Sequence, residues 1–398
     1  MDNSLASQLI PLKPVSSEPL IRRANISDAT RIFELYNRIY SGKYTDPALS
    51  SVDELRKALS ERDYFWMVGE FENKIVGSVI YRFDRVNCLA KVYGAVVDPQ
   101  FRRHNLAERL MSVGYIQLRE EYPPVEVVYA TTRTLSPAPQ RMTKKLGYKK
   151  LGIFPNVHKN EGYETHCLTA LFAGDALKRR FTDFSLHPSV SPLYAIAAQE
   201  CELPPLPTAS DESIAAARRP QVSTSSAKLE SIEASEFVRH RFNSEKQEQG
   251  YNWFYPFHEP NLLFTTPNQR VEVFCYLSAK DRHCVVIGIQ DLDSMGYFAI
   301  LESVSQLLRE LGARYIEFIM PADAIGKIDQ AIQAEFIPCG YFPAMHDHDG
   351  FRHDCVVFSR SFETLNFKNI ALDGVNKKYL SAYFKRWKEQ SAPDIDTE

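Results

Sequence analysis

No stretch of this chain stays apolar for the ~18 residues that a bilayer crossing needs, so no membrane span is expected. Cysteine is sparse and unpaired in pattern. Seven cysteines are scattered as Cys88, Cys167, Cys201, Cys275, Cys284, Cys339 and Cys355, with no CxxC spacing. That excludes a disulfide framework or a zinc ribbon and points to reduced, buried thiols in a cytoplasmic protein. The N-terminal twenty residues lack a basic segment followed by an apolar one, so they do not read as a signal peptide. An excess of charge of either sign is missing too: the net charge is −3, which gives no electrostatic footprint for nucleic acid. What is present is globular, with 44% hydrophobic and 24% charged residues in 398, enough for two domains with their own cores.

The chain carries one unusual phrase twice. Gly152-Ile153-Phe154-Pro155-Asn156-Val157-His158, followed by Gly162-Tyr163 and Cys167, returns as Gly340-Tyr341-Phe342-Pro343-Ala344-Met345-His346, followed by Gly350-Phe351 and Cys355, at a constant shift of 188 residues. Carried backwards without a gap, the same shift lays Val127-Val128-Tyr129-Ala130 on Tyr315-Ile316-Glu317-Phe318. A period this long is no solenoid repeat. It implies two folded copies of one domain.

Periodicity and turn signals order the first copy as a strand at 20–23, a helix from Ser27 and Asp28, and a helix capped by Ser51. A hairpin of strands at 64–71 and 75–83 follows, then a strand at 89–97, a helix at 106–121, a strand at 125–131, a helix at 139–146 and closing strands at 149–154 and 165–172. This order is α/β with a mixed sheet. The second copy repeats its later part, with strands at 261–266, 271–277, 284–289 and 315–320, helices at 297–311 and 325–335, and a closing pair. Between the copies, Pro204-Pro205-Leu206-Pro207 and the Ser/Ala/Thr-rich 208–228 read as a tether with little to bury, after one amphipathic helix at 190–200. The expected division is an extension at 1–19, a domain at 20–172, a linker at 173–228, a second domain at 229–390 and a tail at 391–398. A basic, aromatic helix at 377–388 is expected to pack on the outside of the second domain.

Val97-Asp98-Pro99-Gln100-Phe101-Arg102-Arg103-His104-Asn105-Leu106-Ala107 stands where a strand ends and a helix begins. Such a junction suits a pyrophosphate, because first-turn N–H groups lack partners and the helix dipole favours negative charge. The segment resembles the phosphate loop of the GNAT superfamily of acyl-CoA-dependent N-acyltransferases, Arg/Gln-x-x-Gly-x-Gly/Ala after a strand ending Val-x-Pro, matched by Arg102, Asn105 and Ala107 after Val97 and Pro99. Lys144-Lys145-Leu146-Gly147-Tyr148 also falls where that family has such a segment. One position departs, since Asn105 replaces the usual Gly; Asn tolerates positive φ better than most residues.

The resemblance covers about residues 20–172 and implies a fold of two GNAT-like domains, α/β (α+β), each a mixed, mostly antiparallel sheet flanked by helices, the C-terminal one degenerate. It implies acetyl-CoA as co-substrate, held by Val96, Val97, Arg102, Arg103, His104, Asn105, Leu106 and Ala107, and met by Ser136 and Gln140 along its pantetheine arm. The stretch 136–140 is equally an ordinary Pro-started helix. The family's usual acid, a Tyr, falls on Thr143, which leaves Tyr129, Tyr148 or solvent to protonate the thiolate. Its common Glu on the strand before the loop is missing as well, so His158 is the candidate base. The competing reading makes Phe-Pro-x-x-His a structural turn, favoured by its recurrence as His346.

At the shift of 188, the second copy's counterpart of the loop is Gln290-Asp291-Leu292-Asp293-Ser294-Met295, without arginine and with two carboxylates that repel a pyrophosphate. The run His346-Asp347-His348-Asp349-Gly350-Phe351-Arg352-His353-Asp354 is dense in metal-type ligands, but the solvated-loop reading is preferred and no metal is assigned. The aromatic block at 253–258 reads as core, or as the lining of a cleft or interface. Together these imply N-acetyl transfer to a primary amine, small-molecule or protein, in the first copy, with the second as scaffold or acceptor-recognition module. The alternative is a non-catalytic coenzyme A-binding or partner-binding protein. The sequence does not define the oligomeric state.

Overall fold

The computed structural model describes residues 18–42, 44, 46–102, 104–122, 124–159, 162–218, 228–248, 255–368 and 370–391, with backbone alone at 158–159 and 245–248. The chain divides into two compact units: one holds residues up to Tyr81 with Val92–Glu121, the other Arg82–Lys91 with everything from Tyr122 onward. The boundary thus passes through the first expected copy and not through the expected linker. No described helix is long and apolar enough to cross a membrane.

The first unit is built from β1 (Leu20–Arg23), α1 (Ala29–Tyr40), α2 (Val52–Ser60), β2 (Tyr64–Phe71), β3 (Lys74–Asp84), β4 (Leu89–Val97) and α3 (Leu106–Glu121), with β3 and β4 continuing into the second unit. Local chemistry sets the boundaries. Ser51 caps α2 by accepting the Glu54 N–H at 3.1 Å, and the two residues between β2 and β3, Glu72 and Asn73, both take positive φ (47° and 63°), as a primed hairpin turn requires. Ile32, Leu35 and Tyr36 of α1 and Leu55 of α2 pack with Trp66 and Val68 of β2 in one core. On α3's side, a Cβ at Gly77 would lie 2.9 Å from Leu110 and 3.0 Å from Leu106, so glycine in the strand is what lets the start of α3 lie so close to it.

The second unit adds β5 (Val127–Arg133), α4 (Ala138–Lys145), β6 (Lys149–Lys159), β7 (Tyr163–Phe172), α5 (Ser191–Cys201), α6 (Asp211–Ala217), β8 (Glu230–Ile232) and α7 (Ser235–Glu248). They are followed by β9 (Leu262–Thr265), β10 (Val271–Ser278), β11 (His283–Asp291), α8 (Tyr297–Glu310), β12 (Tyr315–Pro321), α9 (Ile325–Gln333), β13 (Ile337–His348), β14 (Phe351–Ser361) and α10 (Gly374–Ser391). From the start of β4 the strand order is β4-β5-β7-β6-β13-β14-β12-β11-β10-β9-β8. The pairs β4–β5 and β11–β12 are parallel and the other described pairs of this unit antiparallel. Mixed sheets flanked by helices are the architecture that the element order implies.

The two halves of this unit are built alike in detail. β5 pairs with β7 as β12 pairs with β14, and both β6 and β13 carry two bulges, after Lys150 and Phe154 in one and after Pro338 and Phe342 in the other. Asn156 and Ala344 share a left-handed backbone (φ 61° and 55°). Gly152 and Gly340 pair with one another, antiparallel, where the two phrases meet. Two corrections to the constant shift follow. In the last strand the shift is 189 residues, because Gly152 pairs with Leu168 while Gly340 pairs with Val357, so Cys167 and Cys355 are not counterparts. For β4 and β11 it is 194, Leu89 facing Val127 as His283 faces Tyr315.

Part of the expected linker packs into the core. Leu186, Val190, Leu193 and Tyr194 are buried, Arg180 pairs with Asp354 (2.8 Å from Nε), and Pro207 and Ala209 bond the backbone of Leu186. Ile214 of α6 is buried as well. Within the proline-rich sequence Leu206 packs against the core while Pro204, Pro205 and Pro207 are exposed; 219–227 of the tether falls outside the described residues. α10 likewise does not pack as an outer layer alone: Tyr379 and Tyr383 are fully buried, and the Tyr379 hydroxyl donates to the Lys150 carbonyl at 3.2 Å.

Candidate functional site

In the first unit β4 turns at Gly94 (φ 63°), whose carbonyl accepts the Tyr36 hydroxyl at 2.6 Å. Beyond Val96, which is buried, and Val97, half-buried, the Asp98 carboxylate accepts the Gln100 N–H at 3.1 Å and the Arg38 guanidinium at 2.8 Å, and Phe101 packs on Phe71 (ring centroids 5.1 Å apart). These contacts fix the loop. Arg102 follows with extended backbone and an exposed side chain, its Nε donating to the Val97 carbonyl at 3.3 Å. His104 and Asn105 are exposed; Asn105 adopts the left-handed φ of 55° and its carbonyl accepts the Arg109 N–H at 2.9 Å, so α3 begins there. Leu106 is buried and Ala107 half-buried. Arg103 lies outside the described residues. The first-turn N–H groups of a sixteen-residue helix thus open beside an exposed arginine and histidine, an arrangement that suits a phosphate group.

The other candidates lie in the second unit. Tyr129, on β5, is buried; burial pushes its phenol up, with the nearby Glu317 charge adding to it, which weakens it as a proton donor. Tyr148 is buried after α4, its N–H donating to the Thr143 carbonyl at 3.0 Å. Thr143 itself is buried and accepts the Lys150 ammonium at 2.9 Å. Ser136 is exposed. Gln140 departs from its expected role: its amide donates to the Ala371 carbonyl at 2.5 Å and accepts the Asp373 N–H (3.1 Å) and the Asn376 amide (3.0 Å). That makes its side chain a tie to the C-terminal segment. His158 stands opposite Glu164 in the β6–β7 ladder, as His346 stands opposite His353, and the His158 side chain lies outside the described residues. Of the histidine-rich run, Asp354 is consumed by Arg180, the Tyr341 hydroxyl (2.5 Å) and the Ala344 N–H (2.9 Å), and burial together with its cationic neighbours lowers His346 to about 4. Among the described residues no group of three or more His, Cys, Asp or Glu is arranged to hold a metal ion.

At the counterpart of the donor loop, the second unit has closed the same kind of junction with its own side chain. Asp291 accepts the N–H groups of Met295 and Gly296 at 2.9 and 2.8 Å, directly before α8. Five residues separate β11 from α8, against eight between β4 and α3.

Sequence reasoning missed a cavity of about 140 Å³ in the second unit, mostly apolar with a polar patch. Glu317 of β12 lines it and is buried, its Oε1 accepting the Tyr255 hydroxyl and lying 3.4 Å from His283 Nε2. Burial opposes the charge, yet His283 and the Tyr255 hydrogen bond outweigh it and hold the carboxyl down at about 2. The available signal was a lone Glu in an otherwise apolar strand, Tyr315-Ile316-Glu317-Phe318-Ile319-Met320.

A strand–loop–helix junction beside the exposed Arg102 and His104, set in an α/β unit, is the kind of place that suits a phosphorylated ligand. Residues 29–148 match the model described as "Acetyltransferase (GNAT) family", and this part of the chain is a GNAT acetyltransferase domain, the domain of N-acetyltransferases that use acetyl-CoA. No curated protein matches the chain. Among solved structures it is similar to an acetyltransferase of the GNAT family from Streptococcus pneumoniae (20% identity over 39% of this chain and 100% of that one, TM-score 0.36). Others are a ribosomal-protein-alanine N-acetyltransferase from Brucella melitensis (18%, 39% and 99%, TM-score 0.35) and a spermidine N-acetyltransferase variant from Vibrio cholerae (15%, 38% and 94%, TM-score 0.34). Likeness this low carries no argument alone; the family match does.

Proposed function

We propose that the protein transfers the acetyl group of acetyl-CoA to a primary amine by direct attack, with the donor held by the N-terminal copy and the C-terminal copy serving as scaffold or acceptor-recognition module. The observation that carries this reading is the left-handed turn at Asn105, which opens the first turn of α3 beside Arg102 and His104 inside the matched domain. In it, backbone N–H groups of Arg102, Arg103, His104, Asn105 and Ala107 cradle the pyrophosphate, the two arginines add positive charge, and the strand through Val96 and Val97 holds the pantetheine. The co-substrate supplies the activated thioester. His158 takes the proton of the attacking ammonium, while Tyr129, Tyr148 or solvent returns one to the thiolate. Degeneracy of the second copy is supported by Asp291, which already occupies the N–H groups that a pyrophosphate would need.

Thr143 favours the alternative of a non-catalytic coenzyme A-binding protein, because the position at which the family places its acid is buried against Lys150. Release of free thiol in the presence of a panel of amines separates the readings: turnover is expected, and its absence across the panel with acetyl-CoA bound supports the alternative. His158→Ala is expected to lower kcat by on the order of 10²-fold with acetyl-CoA affinity kept, and His346→Ala to leave turnover per folded molecule unchanged. If the two substitutions lower the melting temperature alike and spare turnover, the repeated Phe-Pro-x-x-His is a structural turn in both copies.

A further inference from the structure

The cavity of the second unit lies across the repeat. Tyr129 and Glu317, Thr131 and Ile319, Phe154 and Phe342, and Val157 and Met345 line it, each pair related by the shift of 188 residues. Its walls are therefore mostly matched and apolar, while its chemistry is not: Glu317 faces the place of a tyrosine. Glu317 is buried and ionised, and its Oε2 has no hydrogen-bond partner among the described residues. A buried carboxylate oxygen without a donor is costly unless something supplies one.

A second acceptor accompanies it. Burial, with the positive charge of Lys91 next, lowers His258 to about 3, so its ring is neutral at physiological pH. Its Nδ1 lies 3.0 Å from the Pro256 carbonyl and must carry the proton, which leaves Nε2 as an acceptor. Two acceptors, one of them a carboxylate whose other oxygen His283 faces at 3.4 Å, in a chamber walled by Phe154, Phe342, Met345 and Val357 as well as by Thr131 and His166, match a group with several N–H donors on a small apolar body. The size fits as well, since a cavity of about 150 Å³ accepts a molecule the size of benzene. Lys91 also lines the cavity, so the far end of the ligand is neutral or anionic and not a second cation.

We propose that this cavity is a binding site for a small primary ammonium with a compact apolar body, received by Glu317 and His258. The site is defined within the second unit and does not depend on where the acetyl donor is held.

Calorimetry or ligand-observed NMR on the full chain without acetyl-CoA tests it, with n-butylamine, 1-butanol and 1,4-diaminobutane as probes. Saturable binding of butylamine is expected, with butanol and the diamine each at least about tenfold weaker. Glu317→Gln, which keeps the shape and the Tyr255 contact, is expected to weaken butylamine by at least about tenfold. Val157→Phe, which fills the cavity from a half-buried position and leaves Glu317 in place, is expected to abolish binding at an unchanged melting temperature. It carries the test should Glu317→Gln fail to fold. No saturable butylamine binding, equal binding of butanol, or undiminished binding to either folded variant overturns the proposal. Because no acetyl-CoA is present, such a failure leaves the donor assignment untouched.

Discussion

Asp28 is fully buried and yet charged, because its two oxygens take hydrogen bonds from Arg22 (2.7 and 2.8 Å), one from Arg31 and one from the Asn25 N–H (2.9 Å). Burial pushes its pKa up, but the Arg22 and Asn25 hydrogen bonds and the two guanidinium charges outweigh it and hold the group at about 2. The folded value lies below the unfolded one of about 3.9, so the stabilisation is present above that value and is lost as pH falls towards 2. Asp28→Asn is expected to cost on the order of 2 kcal/mol at neutral pH and to flatten the acid limb of stability between about pH 4 and 2. Urea titrations across that range check it, and an acid limb as steep as the wild type's would move the responsibility to other carboxylates. Asn105 makes a different point at the same scale: its tolerance of positive φ is legible in the sequence, whereas Gln140, chemically suited to a coenzyme, is drawn into the C-terminal segment by residues more than two hundred positions away.

The repeated phrase finds its reason in the pairing of β6 with β13. A Cβ at Gly152 would lie 2.6 Å from the Gly340 Cα and 2.8 Å from the Cys339 carbonyl oxygen, both backbone atoms that cannot swing away. At Gly340 the nearest atom is the Leu151 carbonyl oxygen at 3.2 Å. Gly152→Ala is accordingly expected to destabilise by about 1–3 kcal/mol and Gly340→Ala by less, both read from denaturant midpoints. Equal and negligible losses would mean that the two strands separate without cost and that the close approach does not hold the halves together. The positions after the prolines are secured differently, Asn156 by its amide to the Thr364 carbonyl (3.0 Å) and the Asn366 N–H (3.1 Å), Ala344 by Asp354 and Arg352 (2.9 and 2.7 Å). The same left-handed turn is thus kept by different side chains, which explains why the phrase repeats and its surroundings do not.

For the whole molecule the proposed reading implies one donor site per chain. Arg102 stands before the first turn of α3, whereas at the counterpart Asp291 fills the N–H groups before α8 and Asp293 pairs with Arg270. Calorimetry is expected to give one acetyl-CoA per chain, weakened about tenfold or more by Arg102→Glu, with the melting temperature kept because that side chain is exposed. Two sites of similar affinity would defeat the degenerate-copy reading.

Strand and helix limits such as Leu89–Val97, Leu106–Glu121 and Tyr297–Glu310 were legible in the sequence, since alternation, helical period, caps and turn residues act over a few positions. The proposed donor loop is open to sequence reading for the same reason: its residues are contiguous. The repeat was legible too, because bulges and a left-handed turn constrain residue types locally. Only the tertiary structure decided that 173–218 sends Leu186, Val190, Leu193, Tyr194 and Ile214 into the core, that Gln140 is a tie, and that Glu317, His258 and Tyr255 gather at one cavity with Tyr129. Each of these depends on which distant side chains converge after the chain has folded, and burial and electrostatics are properties of that convergence rather than of any short stretch of sequence.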